Sequence, residues 1–421
     1  MVKISSIPPS CQVGRRHMLQ GSVALATAAM AALPRRAKAQ AALGRFKLGV
    51  LSDFTSLFSA SGGEGLVVAV RMAVKDFQAE HPDAGFDVEV VFADHQNSPD
   101  IGATAARQWF DAQGVDVALD VVNSPIALAV GDIARSANRV MLVSGSGSTR
   151  LTGDQCSPNT VQWTYDTYSY GHAIGDVLTR EGGTTWYFVT ADYGFGHDLQ
   201  EQTADAVTRA GGRVIGATAH PLGTQDFSSF LLQAQASGAK VVGLANAGGD
   251  VVNAVKQAAE FGLPQTQRIA AINVGLNDVF AMSLPLAQGL TVVEPFYWDM
   301  NEGTRAWTKR FAALYPKNYP SMHHAGCYAA TLHYLRAVAV VKTHDGKRIV
   351  EQMKAMPTND PLFGTGSIRV DGRKMHPLFV FQVKSPEESK YPWDYYKLMT
   401  TIPAEKAFRP LAEGGCPFLR T

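Results

Sequence analysis

A run of small and hydroxyl-bearing residues after an apolar strand is the part of this sequence best suited to chemistry. Residues 140–143 read Val-Met-Leu-Val, which is typical of a strand buried on both faces of a parallel sheet. Residues 144–149, here called the serine-glycine loop, then offer hydroxyls and accessible backbone N–H groups. A loop at the carboxyl end of such a strand can bind an anion through oriented N–H dipoles. An ordinary polar loop has the same composition, so the choice between these two interpretations depends on the rest of the chain.

The serines of this loop do not form a convincing catalytic motif. The nucleophile elbow of a serine hydrolase needs glycine two positions on either side of the serine, where Ser144 and Ser148 stand around Ser146. The first strand is not followed by Gly-x-Gly-x-x-Gly, and Cys-x-x-Cys and His-Glu-x-x-His spacings are absent. We therefore predict a chain that is not an enzyme and that needs neither a metal nor a cofactor.

The N-terminus has the pattern of an export signal. The pair Arg15-Arg16 precedes a modest apolar run over 21–33, and Ala37-Lys38-Ala39 has the small residues of a cleavage site. These features predict a twin-arginine-type signal peptide over residues 1–39 and a periplasmic location. The apolar run is too short to span a membrane, and no later segment has 18 consecutive apolar residues.

The net charge limits the classes of binding partner, and the cysteines indicate which pair can form a disulfide. The formal net charge is +1, so composition gives no argument for binding nucleic acid or an anionic membrane. Of the four cysteines, Cys11 would leave with the signal and Cys327 falls in an apolar helical pattern. Cys156 and Cys416 remain, and in an oxidising compartment we predict that they pair as a disulfide.

The elements that must position these residues alternate between strand and helix. A first series of predicted strands covers 46–51, 87–93, 115–122 and 139–143, with helices over 66–80, 101–112 and 126–137. A second series has strands at 185–190, 213–219, 240–245, 269–273 and 289–293, with helices at 198–210, 228–236 and 250–261. Predicted helices 304–314, 325–342 and 348–356 follow, and then an antiparallel pair, 367–370 with 378–383. Repeated βα units predict an α/β fold with parallel sheets and two lobes of similar build.

Several segments, in this order and spacing, resemble a known family. They are the opening strand at 47–53, the loop at 142–152 ending in Leu-Thr, the Asp-Tyr-Gly-x-Gly turn at 192–196, and the Asp-Phe-Ser segment at 226–228. The chain is similar to periplasmic solute-binding proteins of type I, and more closely to the branched-chain amino acid (Leu/Ile/Val) receptors of ABC transporters. Residues 384–396 resemble the subgroup that takes aromatic acids.

The resemblance implies a domain layout and a way of working. It predicts two doubly wound parallel-sheet lobes, one from 45–163 with 297–357 and the other from 164–296 with 358–421. Crossover strands near 162–166, 293–298 and 358–364 would join the lobes and let them swing. A monomeric receptor of this kind captures a small molecule between its lobes and delivers it to a membrane permease.

The resemblance also implies which residues bind the ligand. They are Phe58, Asn123, Ser124, Ser144, Ser146, Ser148, Tyr193, Ala247, Asn273 and Trp298. The three loop serines would bind a ligand carboxylate, and Tyr193 would close over it from the second lobe. Ser124 can equally be a helix cap, and the aromatic residues can equally pack as core or hinge. His323 and His324 can donate to a carboxylate, although such histidines are often structural.

A comparison with the amino-acid receptors of this family suggests the ligand class. Those receptors place an acidic residue near the strand ends of the second lobe, to meet the ligand ammonium. Residues 246–249 and 273–276 contain no acid. Asp250 and Asp278 lie nearby, and Asp250 is expected to cap its helix, so we expect the cleft to lack an acidic partner for an ammonium group. Ala247 falls near a position where the family often has tyrosine, which leaves room for a ring. We predict an aromatic carboxylate without an amine, with an amino-acid or amide receptor, or a ligand sensor without transport, as the alternatives.

Overall fold

The computed structural model describes residues 43–419, so the predicted signal peptide lies outside the described residues. Among those residues, no helix has the length and apolar character needed to cross a membrane. Residues from Leu43 onward form one compact unit.

A five-stranded parallel sheet organises the first part of the chain. Its strands are β1 (Arg45–Ser52), β2 (Asp87–Asp94), β3 (Val117–Asp120), β4 (Val140–Val143) and β5 (Thr160–Gln162), in the order β2-β1-β3-β4-β5. The helices between them are α1 (Glu64–Glu80), α2 (Pro99–Arg107) and α3 (Ser124–Ser136). All residues of β3 and β4 are buried, as the apolar run at 140–143 predicts for a central strand.

A second parallel sheet follows the same plan. Its strands are β6 (Thr185–Ala191), β7 (Arg213–His220), β8 (Val241–Ala245) and β9 (Arg268–Ala271), in the order β7-β6-β8-β9. The helices of this part are α4 (Thr167–Arg180), α5 (Gly194–Arg209), α6 (Ser228–Ala236), α7 (Gly249–Glu260), α8 (Leu276–Met282) and α9 (Leu284–Ala287). The sequence patterns predict every strand of this sheet but miss the helices α4, α8 and α9.

The chain then returns to the first sheet and finishes beside the second. The next elements are β10 (Thr291–Glu294), α10 (Glu302–Leu314), α11 (Met322–Val341) and α12 (Gly346–Ala355). Helix α11 is buried over most of its length because it packs against α1 and against β3 and β4 of the first sheet. The last elements are β11 (Thr358–Asp360), β12 (Gly364–Ile368), β13 (Lys374–Met375), β14 (Leu378–Val383), β15 (Tyr396–Ile402) and α13 (Ala404–Ala407). The lobe boundaries given above stay a prediction.

The predicted antiparallel pairing of 367–370 with 378–383 is wrong. Strand β12 turns back at Asp371-Gly372 and pairs with the two-residue strand β13 instead. Strand β14 lies between β10 and β15 in a separate antiparallel sheet. Its Leu378, Val380 and Phe381 are buried, because a central strand has a neighbouring strand on each side.

Candidate functional site

A cavity with about 560 Å³ of space, part of it open to solvent, lies where the carboxyl ends of both parallel sheets converge. The first sheet contributes the residues that follow β3 and β4 to its lining, and the second contributes those that follow β6, β8 and β9. Open parallel sheets bind ligands outside the carboxyl ends of their strands. Two such edges therefore face one shared space in this molecule.

Seven of the ten predicted ligand-binding residues line this cavity. They are Phe58, Asn123, Ser124, Ser146, Tyr193, Ala247 and Asn273. They come from six separate segments, so the fold, and not sequence proximity, brings them together. What these residues bind stays a prediction.

The serine-glycine loop and the start of α3 form the end of the cavity best suited to an anion. Ser146 Oγ donates a hydrogen bond to Ser124 Oγ at 3.2 Å, and both side chains are buried. Gln162 Nε2 donates to the carbonyl oxygens of Ser146 and Ser148, at 3.0 and 3.1 Å, which holds these acceptors on the far side of the loop. Ser124 is the first residue of α3, where N–H groups have no partner within the helix. Hydroxyl and N–H donors therefore converge at this end without a cationic side chain.

Ser144, Ser148 and Trp298 do not line the cavity. Ser144 Oγ turns toward Gly326 of α11, and the Ser144 carbonyl accepts from Thr164 Oγ1 at 2.6 Å. Ser148 Oγ accepts from the backbone N–H of Arg150 at 3.3 Å and caps a short 3₁₀ turn. Trp298 Nε1 donates to the Trp393 carbonyl at 2.9 Å, in an aromatic cluster outside the cavity. Ser148 and Trp298 therefore have hydrogen-bond partners away from the cavity, whereas Ser144 Oγ is buried beside α11 without a hydrogen-bond partner in the described part of the chain.

Four aromatic rings, from phenylalanine and tyrosine side chains, line the cavity. Phe58 and Tyr193 were predicted, and the structure adds Tyr165 and Phe195. The Asp53 carboxylate fixes the loop that carries Phe58, since it accepts from the Phe58 N–H at 2.8 Å. Tyr193 and Phe195 lie with ring centroids 5.9 Å apart, and the Tyr165 and Phe195 centroids are 6.5 Å apart. This wall suits a flat apolar group.

Gly147 is required where the loop meets these rings. A Cβ at this position would lie 2.6 Å from a Tyr165 ring carbon and 3.0 Å from a Phe195 ring carbon. Gly145 has a similar role, because a Cβ there would lie 2.9 Å from both Asp120 carboxyl oxygens. The two glycines therefore let the loop approach its surroundings closely, in addition to leaving the N–H groups accessible.

The prediction that the cleft lacks an acidic residue is wrong. Asp278 on α8 and Glu294 at the end of β10 both line the cavity. Burial raises the pKa of Asp278 to about 6. Burial, together with repulsion from Asp278, raises the pKa of Glu294 well above its usual value. Glu294 Oε2 is buried without a hydrogen-bond partner in the described part of the chain, so it is free to interact with a ligand.

Two of the cavity residues that were not predicted could have been found from the sequence. Glu294 ends the apolar strand Thr-Val-Val-Glu, and Tyr165 follows the short strand β5. Both therefore stand at strand ends, where α/β folds bind ligands. Asn277 also lines the cavity, but its position inside the first turn of α8 gives no such signal in the sequence.

The structure joins Cys156 and Cys416 in a disulfide, with Cα atoms 5.5 Å apart. This bond ties the C-terminal tail to the segment that follows the serine-glycine loop. In the same region Arg409 Nη2 donates to the Thr149 carbonyl at 2.9 Å. The tail therefore supports the end of the loop, opposite the cavity.

Comparisons with known proteins agree with this architecture. Residues 45–390 match the family model described as periplasmic binding protein. Among curated proteins, Leu/Ile/Val-binding protein homolog 6 of Brucella abortus is 29% identical over 199 residues. That alignment covers 47% of this chain and 49% of the relative, so the matched part spans about half the length of the curated protein.

Solved structures match over nearly the whole described chain. A periplasmic binding protein from Burkholderia mallei is 42% identical, with a TM-score of 0.86, and the match covers 89% of this chain and 99% of that one. An ABC transporter solute-binding protein from Rhodopseudomonas palustris, solved in complex with benzoate, is 19% identical with a TM-score of 0.76. That match covers 89% of this chain and 100% of the other, and at this identity it shows a shared fold alone.

Proposed function

The chain belongs to the periplasmic binding protein family, and from that membership we propose that it is the receptor subunit of an ABC uptake transporter. In this proposal the leader over residues 1–39 directs export to the periplasm. The receptor then captures a small organic acid between its two parallel-sheet halves and hands it to a membrane permease. The proteins that it resembles are binding proteins and not enzymes.

The ligand that we propose is a small aromatic carboxylate. One observation carries this proposal: an uncharged set of anion donors and four aromatic rings line the same cavity. Ser124, Ser146 and the N-terminus of α3 would bind the carboxylate, because hydroxyls and helix N-terminal N–H groups stabilise an anion. Phe58, Tyr165, Tyr193 and Phe195 would contact the ring. The benzoate bound by the Rhodopseudomonas protein supports the idea that this fold can enclose such an acid.

The two buried carboxyl groups are compatible with this ligand. With its pKa raised, Glu294 tends to stay protonated and can then donate a hydrogen bond. A ring substituent that accepts a hydrogen bond, such as a hydroxyl oxygen, would satisfy the Oε2 that lacks a partner. A hydroxybenzoate therefore fits this end of the cavity better than unsubstituted benzoate does.

An amino acid is the second candidate ligand, and Asp278 with Glu294 is the observation that favours it. A ligand ammonium between these carboxyls would stabilise their ionised forms and lower both pKa values. The Brucella relative is named as a Leu/Ile/Val-binding protein homologue, which points the same way. In this alternative the carboxylate end of the site is unchanged.

A thermal-shift panel on the mature protein separates the two candidates. Benzoate, 4-hydroxybenzoate, leucine, phenylalanine and benzamide would be tested at equal concentration, since a binder raises the melting temperature by mass action. We expect the largest shift with 4-hydroxybenzoate and none with benzamide, which lacks the carboxylate. A shift confined to leucine and phenylalanine would replace the aromatic acid by an amino acid. If no carboxylate in the panel changed the melting temperature, the proposed anion site would be wrong.

A further inference from the structure

A buried histidine and a buried carboxyl group lie next to each other beside the serine-glycine loop. His323, the second residue of α11, lines the cavity with a side chain only 7% exposed. Its Nδ1 lies 4.0 Å from Asp120 Oδ1 and has no hydrogen-bond partner in the described part of the chain. This separation is about 1 Å longer than a hydrogen bond. A small movement of the ring would close it.

The Asp120 carboxyl group has an acceptor position to spare. Asp120 is fully buried at the end of β3, where one oxygen accepts from Ser52 Oγ at 2.5 Å. The only side-chain donor near the other oxygen, Oδ1, in the described part of the chain is the thiol of Cys327 at 3.9 Å, which is a weak donor, and the Val122 N–H also interacts with this carboxyl group. The carboxyl also packs against the back of Gly145 in the serine-glycine loop. The Asp120 carboxyl group is therefore close enough to interact electrostatically with a charge on the loop or on His323.

At neutral pH, His323 and Asp120 together can bind a further proton. Burial raises the pKa of Asp120 to about 7 and lowers the pKa of His323 to about 3. At neutral pH the imidazole is therefore neutral in the unliganded cavity, and the carboxyl is partly protonated. The other titratable groups that line the cavity or lie beside the pair are Asp278, Glu294, Tyr165, Tyr193, His324 and Cys327. None of them is a cation at neutral pH.

We propose that His323 takes up a proton from solvent when a carboxylate enters the cavity, and that Asp120 is the positioning residue that makes this uptake possible. This inference rests on the proposed function because it needs a carboxylate ligand. With the ligand bound, the imidazole lies between two carboxylates, and each stabilises the imidazolium form. The added proton forms the Nδ1–H or Nε2–H bond of the imidazolium, so that, when Asp120 is already ionised, the anion enters together with one proton and the net charge of the buried site does not change.

This coupling has a defined direction with pH. Because protons are bound together with the carboxylate, affinity falls as pH rises above the Asp120 pKa. The limit for one linked proton is a tenfold loss of affinity per pH unit. At neutral pH part of the proton is already on Asp120 and moves to His323, so the net uptake is a fraction of one proton.

Titration calorimetry in two buffers of different ionisation enthalpy tests the inference. Benzoate, or the carboxylate of the panel that binds most tightly, would be titrated near pH 7 and pH 8 in phosphate and in Tris. The difference in heat between the buffers gives the number of protons bound. We expect uptake of about half a proton near pH 7 and of close to one near pH 8.

Three variants identify the group that takes up the proton. His323→Gln keeps a hydrogen-bond donor and is expected to abolish the uptake and flatten the pH dependence of affinity. His81→Gln, at an exposed position, is the matched control and should leave both unchanged. Asp278→Asn should retain the uptake.

The outcomes separate this inference from the proposed function. Binding without proton uptake in the natural protein would overturn the inference alone, as would uptake that persists in His323→Gln. Uptake lost in Asp278→Asn would assign the proton to the acidic pair and overturn it as well. If no carboxylate bound, both the proposed function and this inference would be wrong.

Discussion

At the scale of single residues, two serines of one loop differ in role because they point in opposite directions. Ser146 Oγ faces the cavity, whereas Ser148 Oγ caps a turn and accepts from the Arg150 N–H. A hydrogen bond to a charged group contributes about 1.5–3 kcal/mol. We therefore expect Ser146→Ala to weaken carboxylate affinity by at least tenfold and Ser148→Ala to change it less than twofold. Titration calorimetry measures both, and equal losses in the two variants would contradict the assignment.

Glu294 provides a second residue-scale prediction, which concerns stability and pH. Its pKa is raised in the folded protein, so the folded state holds a proton that the unfolded state loses above about pH 4.5. The contribution of Glu294 to stability therefore declines as pH rises from that value toward the folded pKa. Glu294→Gln removes this decline, so the unliganded variant should gain relative stability by up to about 1.4 kcal/mol per pH unit in that window.

Urea unfolding near pH 5 and pH 8 measures this effect. The two proteins should differ little near pH 5, and the variant should be the more stable near pH 8. Glu201→Gln, at an exposed position on α5, is the control and should show no change in relative stability with pH. A constant difference between natural protein and Glu294→Gln at both pH values would show that Glu294 is ionised in the folded state.

At the scale of elements, the segment between β5 and α4 is held by a buried cation. Arg373 Nη1 donates to the Tyr165 carbonyl at 3.1 Å and lies 3.6 Å from the Asp166 carboxylate. His376 Nε2 lies 2.7 Å from the neighbouring Thr164 carbonyl oxygen. This segment carries Tyr165 into the cavity, so the network positions one wall of the site.

Removing the Arg373 guanidinium should lower the free energy of unfolding, because the carboxyl group of Asp166 stays buried. We expect Arg373→Met to lower the free energy of unfolding by about 3–5 kcal/mol, since Asp166 is left as a buried group without its ion-pair partner. The double variant Arg373→Met/Asp166→Asn should recover part of this loss. Arg180→Met breaks an exposed pair with Asp176 and should cost less than about 1 kcal/mol. Urea unfolding of the four proteins measures these differences, and a loss as small for Arg373→Met as for Arg180→Met would contradict the role of the network.

Sequence patterns predict the elements of this protein better than their pairing. The βα series of both sheets follows from apolar periodicity, because each strand and helix buries a face of its own. Strand β14 was predicted with the bounds that the structure has, yet its partner β10 is distant in sequence and its partner β15 was not predicted. Local patterns contain no information on such long-range pairing.

The site shows the same limit at a smaller scale. The serine-glycine loop was found because its composition and its place after a strand are local properties. The direction of each side chain within the loop depends on Thr164, Gly326 and Arg150, which the loop sequence does not specify. Asp278 was noted only as lying near the strand ends and Glu294 was missed, because the two residues come from different elements and meet only in the folded chain.

At the scale of the whole molecule, hydrogen bonds near the cavity join the two parallel-sheet halves. The Gly249 N–H donates to the Leu57 carbonyl at 3.3 Å. Asp198 of α5 accepts from the N–H of Thr149 at 3.0 Å and from its hydroxyl. Thr149 belongs to the serine-glycine loop, so the same loop contributes to the candidate anion site and joins the halves.

The Cys156–Cys416 disulfide stabilises this arrangement from outside the cavity. It closes a loop of 260 residues, and such cross-links contribute about 2–5 kcal/mol, mainly by restricting the unfolded chain. We expect Cys156→Ser/Cys416→Ser to lower the free energy of unfolding by that amount, as measured by urea unfolding. Carboxylate affinity should fall less than fivefold, because the bond restrains the tail and neither cysteine lines the cavity. Reductant should reproduce the loss in the natural protein and leave the double variant unchanged, since the remaining described cysteine, Cys327, is free and buried. A double variant as stable as the natural protein would show that the tail is held by its other contacts, with Arg409 at Thr149 foremost among them.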